Sequence, residues 1–185
     1  MSILSVRIKA LMPSSDVLAG SDSGRRLFAR LLEAVPEPSP PEAVFLDFGG
    51  IRVATASFLR DGPLAFRDWA RARNSRIYPV FANLSQHVLD ELSVYLSTAS
   101  DAALVCTIEN DQVRDVRLIG RLDEKQQIAF DLIRKHRQST AVALSRLSKE
   151  KVGPTTWNNR LAALAAKGLI IESNAGRTKH FRLAV

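Results

Sequence analysis

The sequence predicts an α/β layer with a largely parallel sheet, followed by a helix-rich segment that ends in a hairpin. Three observations predict it. Short apolar runs (Ala43–Phe48, Tyr78–Ala82, Ala102–Ile108) alternate with helix-period segments. A second set of helix patterns closes on two strand-like runs after residue 121. The charge divides at the same place. The chain has 185 residues and a formal net charge of +7. Residues 1–120 hold 13 basic and 14 acidic residues, a net of −1, and residues 121–185 hold 13 and 5, a net of +8. The basic partner surface is therefore expected in the last third. The expected division is 1–120 and 121–185.

Ser2–Ala10 alternates apolar and polar and reads as a strand. Ser23–Ala34 reads as a helix with Leu27, Phe28, Leu31 and Leu32 on one stripe. Pro36, Pro38, Pro40 and Pro41 enforce an extended loop, because each fixes φ and lacks an N–H. Ala43–Phe48 fits a buried strand closed by Gly49-Gly50. Ile51–Arg60 is loop and then a short helix start. Gly62-Pro63 should interrupt it, with Pro63 opening a new helix through about Arg73. Tyr78–Ala82 is a buried strand. Ser85 caps a helix bearing Val88, Leu89, Leu92 and Leu96. Ala102–Ile108 and Val113–Ile119 are strands joined by the turn Glu109–Gln112. Arg67, Arg71, Arg73 and Arg76 form a basic cluster, read as a solvated face or as a second nucleic-acid or protein contact.

Asp123 then caps a helix through about His136, with Gln126 placed for a capping box. Ser139 or Thr140 caps the next, with Val142, Leu144 and Leu147 as its apolar residues. Lys151–Gly153 is a turn. Pro154-Thr155 starts a third helix whose Trp157, Leu161, Leu164 and Ala165 share one face. Trp157 is expected in the core. Gly168 stops this helix where a positive φ is usual. Leu169–Glu172 and His180–Leu183 form a hairpin with its tip at Ser173–Arg177.

The third helix with Arg160-Leu161 and Leu164, the run Lys167-Gly168-Leu169-Ile170 and the tip Gly176-Arg177-Thr178-Lys179 resemble a winged helix-turn-helix of the α+β class. The resemblance implies double-stranded DNA as partner. Thr155, Thr156, Asn158, Asn159 and Arg160 would meet base edges and phosphates from the third helix. Arg177 and Lys179 would contact the backbone from the wing. A protein-docking winged helix is the alternative.

Phe45-Leu46-Asp47-Phe48-Gly49-Gly50-Ile51, followed by Thr55-Ala56-Ser57-Phe58-Leu59, resembles the STAS-like domains, relatives of the anti-sigma factor antagonists. That resemblance implies an α/β domain with a mixed sheet and makes Ser57, at a helix start, a candidate phosphosite for a partner ATPase-kinase. The plainer reading of Ser57 is a helix cap.

Composition narrows the rest. Charged residues are 24% and apolar residues 46%, too apolar for disorder. No apolar stretch suits a membrane span, and the N-terminal apolar run is too short for a signal peptide. The one cysteine, Cys106, rules out an internal disulfide and points to a reducing, cytoplasmic setting, with the thiol buried and inert. His87, His136 and His180 have no metal spacing. No catalytic constellation, cofactor motif or metal site is expected, and the chain is not expected to be an enzyme. The expectation is a DNA-binding transcriptional regulator, with the first segment serving dimerisation or partner binding and a homodimer as its form. The alternative is a partner-switching adaptor that binds an ATPase or kinase, or a multi-subunit complex, with the winged helix as its docking module.

Overall fold

The computed structural model describes residues 3–185. Strand β1 is Ser5–Arg7 and helix α1 Ile8–Leu11; β2 is Val17–Leu18, α2 Ser21–Ala34, β3 Glu42–Asp47 and β4 Val53–Ala54. Helix α3 (Ala56–Leu59) runs through a π turn (Arg60–Leu64) into α4 (Ala65–Ala72). Next come β5 (Ile77–Ala82), α5 (Gln86–Thr98), β6 (Ala102–Glu109) and β7 (Gln112–Gly120). The last segment holds α6 (Glu124–His136), β8 (Gln138–Ser139), α7 (Ala141–Leu147), α8 (Pro154–Ala166), β9 (Ile170–Ala175) and β10 (Thr178–Leu183).

The protein is a mixed α/β fold. Its main sheet has five strands in the order β1-β3-β5-β6-β7. Strands β1, β3, β5 and β6 pair in parallel, and β7 turns back antiparallel on β6. The smaller sheet β8-β10-β9 is antiparallel, and β2 and β4 make a two-residue parallel pair.

The period of two along each strand sorts side chains onto two cores. Val44, Leu46, Ile77, Phe81, Ala103 and Val105 face one way, against Leu27 and Leu31 of α2, Phe66 and Ala70 of α4, and Leu92 and Leu96 of α5. Phe45, Tyr78, Val80, Ala82, Leu104 and Cys106 face the other way. There they meet Phe130 and Ile133 of α6, Trp157, Leu161 and Leu164 of α8, and Phe181 of β10. The last 65 residues are thus the second cover of the sheet. This explains why β5 is buried at every position, since covered on both faces it cannot show an alternating pattern.

The two segments also join through charge. Asp101 Oδ2 lies 2.5 Å from Arg67 Nη2 of α4, and Asp101 Oδ1 lies 2.9 Å from Lys167 Nζ at the end of α8. Ala102 N donates to the same carboxylate at 2.8 Å. Burial alone would raise the Asp101 pKa. The charge of Arg67, with the bonds from Lys167 and Arg67, outweighs it and holds the carboxyl below its ordinary value.

Several elements differ from the sequence reading. The strand expected over Ser2–Ala10 is three residues long, because the chain turns helical at Ile8, which is fully buried in the first core. Ser2 itself lies outside the described residues. Gly62-Pro63 does not break the helix. The π turn shifts the backbone ladder around Pro63, whose missing N–H is tolerated there, and the axis carries on. Leu32, Val142 and Leu147, expected on apolar stripes, are exposed. The basic cluster is no single solvated face, since Arg67 is buried and Arg71 half-buried. Among the described residues no helix is long and apolar enough to cross a membrane.

Candidate functional site

Helix α8 begins at Pro154, with Gly153 as its cap residue and no side chain capping it. Proline is suited to this first position because its absent N–H would be orphaned in any case. Four residues at spacing 157, 161, 164 and 165 bury one face, and Trp157 is fully enclosed. On the other side Thr155, Thr156 and Asn159 are exposed and Asn158 is half-buried.

Arg160 is not on that open side. It is 9% exposed, with Nη1 2.6 Å from Glu150 Oε2 and its guanidinium 4.8 Å from the Trp157 ring centre. It pins the α7–α8 turn onto the helix and, with Asn159, lines a cavity against Asp123–Gln126 at the start of α6. Its position, three residues after Trp157 and one before Leu161, extends the buried stripe.

The end of α7 and the turn before α8 carry residues absent from the sequence-based site. Arg146, Lys149 and Lys151 are all exposed. Glu150, the acid in their midst, is taken by Arg160. The β9–β10 turn is Gly176-Arg177, with Arg177 exposed. Lys179 sits one step down the hairpin and pairs with Glu172 at 2.6 Å. Its charge is thus partly spent, and it lines a cavity between the hairpin and the first segment. Arg146, Lys149, Lys151 and Arg177 have no carboxylate within ion-pair distance among the described residues. The signal that could have found the first three is the basic run between two helix patterns, ahead of an uncapped helix start.

Ser57 lies apart from this surface, in α3. The cap of α3 is Thr55, whose Oγ1 accepts from Phe58 N at 3.4 Å and from Gly20 N at 3.2 Å. Ser57 is half-buried with its Oγ 3.2 Å from Thr55 Oγ1.

A polar cluster also lies at the carboxyl ends of the parallel strands. Asp47 Oδ1 accepts from Gly49 N and Asn83 Nδ2, both at 2.8 Å, and Asn83 Oδ1 accepts from Ile108 N at 2.8 Å. Asn83 adopts a positive φ of 56° to make these bonds. Asp47 and Asn83 together link the ends of β3, β5 and β6. Burial, and then the nearby Asp47 charge, push the Cys106 thiol up to about 12. No family model, curated protein or solved structure matches the chain.

Proposed function

We propose that the protein is a DNA-binding regulator in which α6–β10 is a winged helix, α8 its recognition helix and the β9–β10 hairpin its wing. The carrying observation is a set of exposed cations in the segment around α8 that have no carboxylate within ion-pair distance among the described residues. Arg146, Lys149 and Lys151 precede the helix and Arg177 lies at the hairpin turn, while the helix itself exposes Thr155, Thr156 and Asn159. The element order helix, strand, helix, helix, strand, strand and the β8-β10-β9 sheet support this reading. Cations at the margin bind phosphates and set register, while asparagine and threonine on the helix reach base edges. The first segment, read as STAS-like, would serve dimerisation or partner contact. A homodimer on paired half-sites is the form such a module takes.

Duplex DNA titrated across a salt series tests it. Binding should weaken steeply with salt, and Lys149→Ala with Lys151→Ala should flatten the log–log slope by about 2. Asn159→Ala should cost about 1–3 kcal/mol on a selected sequence and little on random DNA. Absence of binding at low salt would rule the proposal out. The adaptor reading draws on Val142 and Leu147, which α7 exposes at 46% and 54%. It predicts salt-insensitive binding of a protein partner, lost in Leu147→Asp.

A further inference from the structure

Helix α4 presents two largely enclosed arginines one turn apart, and their surroundings differ. Arg67 has Asp68 and Asp101 on its guanidinium, at 2.8 and 2.5 Å. Arg71 has no carboxylate within ion-pair distance among the described residues. Its Nη2 donates to the carbonyls of Ser75 and Ile77, its guanidinium lies 3.6 Å from the Tyr78 ring centre, and its buried Nε has no partner. Burial lowers its pKa, an effect that Tyr78 and the more distant Glu37 only partly offset.

Arg71 lines a cavity of about 510 Å³ at the seam between the two segments. This is within the usual range for small-molecule sites, roughly 300–1,000 Å³. Asn74 and Arg76 line the near wall, Asn174 and Lys179 the hairpin wall, and Ala166 the α8 wall, where a methyl leaves the space open. The carboxylates close by are already engaged. Glu37 accepts from Ser75 Oγ at 2.8 Å and pairs with Arg76 at 3.8 Å, and Glu172 holds Lys179. Arg76 and Lys179 thus have partners, and one positive charge is left over, on Arg71.

We propose that this seam cavity binds a small organic oxyanion, whose carboxylate or phosphate pairs with Arg71 while Asn74 and Asn174 hydrogen-bond its polar body. The proposal uses no residue at the open start of α8, although Asn174 and Lys179 belong to the β9–β10 hairpin, and its readout is thermal stability rather than DNA binding.

The test is heat denaturation of the full chain in sodium phosphate, sodium acetate and sodium chloride at matched ionic strength. At about ten times its dissociation constant, the bound anion should raise the Tm by about 3 °C over chloride. A rise in phosphate alone identifies a phosphate-bearing ligand, and a rise in acetate alone a carboxylate. Asn174→Glu, on an exposed hairpin position, places a carboxylate in the cavity and should abolish the rise without disturbing the core. Arg71→Gln should abolish it too, with a lower starting Tm because the bonds to Ser75 and Ile77 are lost. Equal Tm in all three salts, or a rise that persists in Asn174→Glu, would overturn the proposal.

Discussion

Asp101 holds two cations from two different segments, so its removal reaches further than one ion pair. Asp101→Asn leaves Arg67, only 5% exposed, with Asp68 alone, and leaves Lys167 unpaired. Stripping a partner from a buried charge costs about 3–5 kcal/mol. Allowing for the part-exposed carboxylate and the remaining Asp68, about 2–3 kcal/mol is expected, read as a lower urea midpoint. The pH dependence has a definite sign. The folded pKa of Asp101 lies below its unfolded value near 3.9. Its contribution is therefore complete above about pH 5 and is lost as pH falls through the folded value. The gap between wild type and Asp101→Asn should narrow as the pH falls below about 4. At Cys106 the thiol is pushed up to about 12 and enclosed. Thiol reagent at about pH 8 should label it only after urea unfolds the chain; fast labelling of native protein would contradict this placement.

Among elements, the helices with side-chain caps were the most legible. Ser85, Asp123 and Thr140 each accept a bond from the N–H three residues on, as their positions suggested. The strands β3, β5 and β6 announced themselves as apolar runs. The β2–β4 pair left no signal, since two residues are too few to show a period. The start of β1 misled because alternation over a few residues does not reveal where a buried Ile8 will bend the chain. The exposure of Thr155, Thr156, Asn159 and Arg177 was legible from helical period and turn chemistry. Arg160 was misplaced because its charge was weighed above its spacing. Arg71 was misread because its enclosure depends on the chain folding back after α4, which brings the Ser75 and Ile77 carbonyls and the Tyr78 ring onto its guanidinium, with Gly168 packed alongside. Gly120 gives the sharpest test at this scale. Its φ is +87°, and an added Cβ would lie 2.2 Å from Asp101 O. Gly120→Ala should cost upwards of about 3 kcal/mol by chemical denaturation, more than an exposed glycine such as Gly153 would.

At the scale of the molecule, one sheet serves two cores. Phe45, Tyr78, Val80 and Leu104 share a core with residues of α6, α7, α8, β9 and β10. The full chain should therefore unfold in a single transition, with fluorescence and circular dichroism coincident. A fragment of residues 1–120 should bind hydrophobic dye and associate, because it bares one whole face of the sheet. Two separate transitions would show that the seam carries little energy.

That shared sheet has a consequence for biosynthesis. A polypeptide emerges from its N-terminus onward, so β3, β5 and β6 reach the outside of the ribosome well before α6, α8 and β10. The first core has all its buried members by residue 105, whereas the second waits for Phe181 and Ala184. During that interval the nascent protein carries a finished hydrophobic face with no lid, the kind of surface that trigger-type chaperones shield. Ribosome stalling between residues 120 and 180 would accordingly leave the chain at its most adhesive.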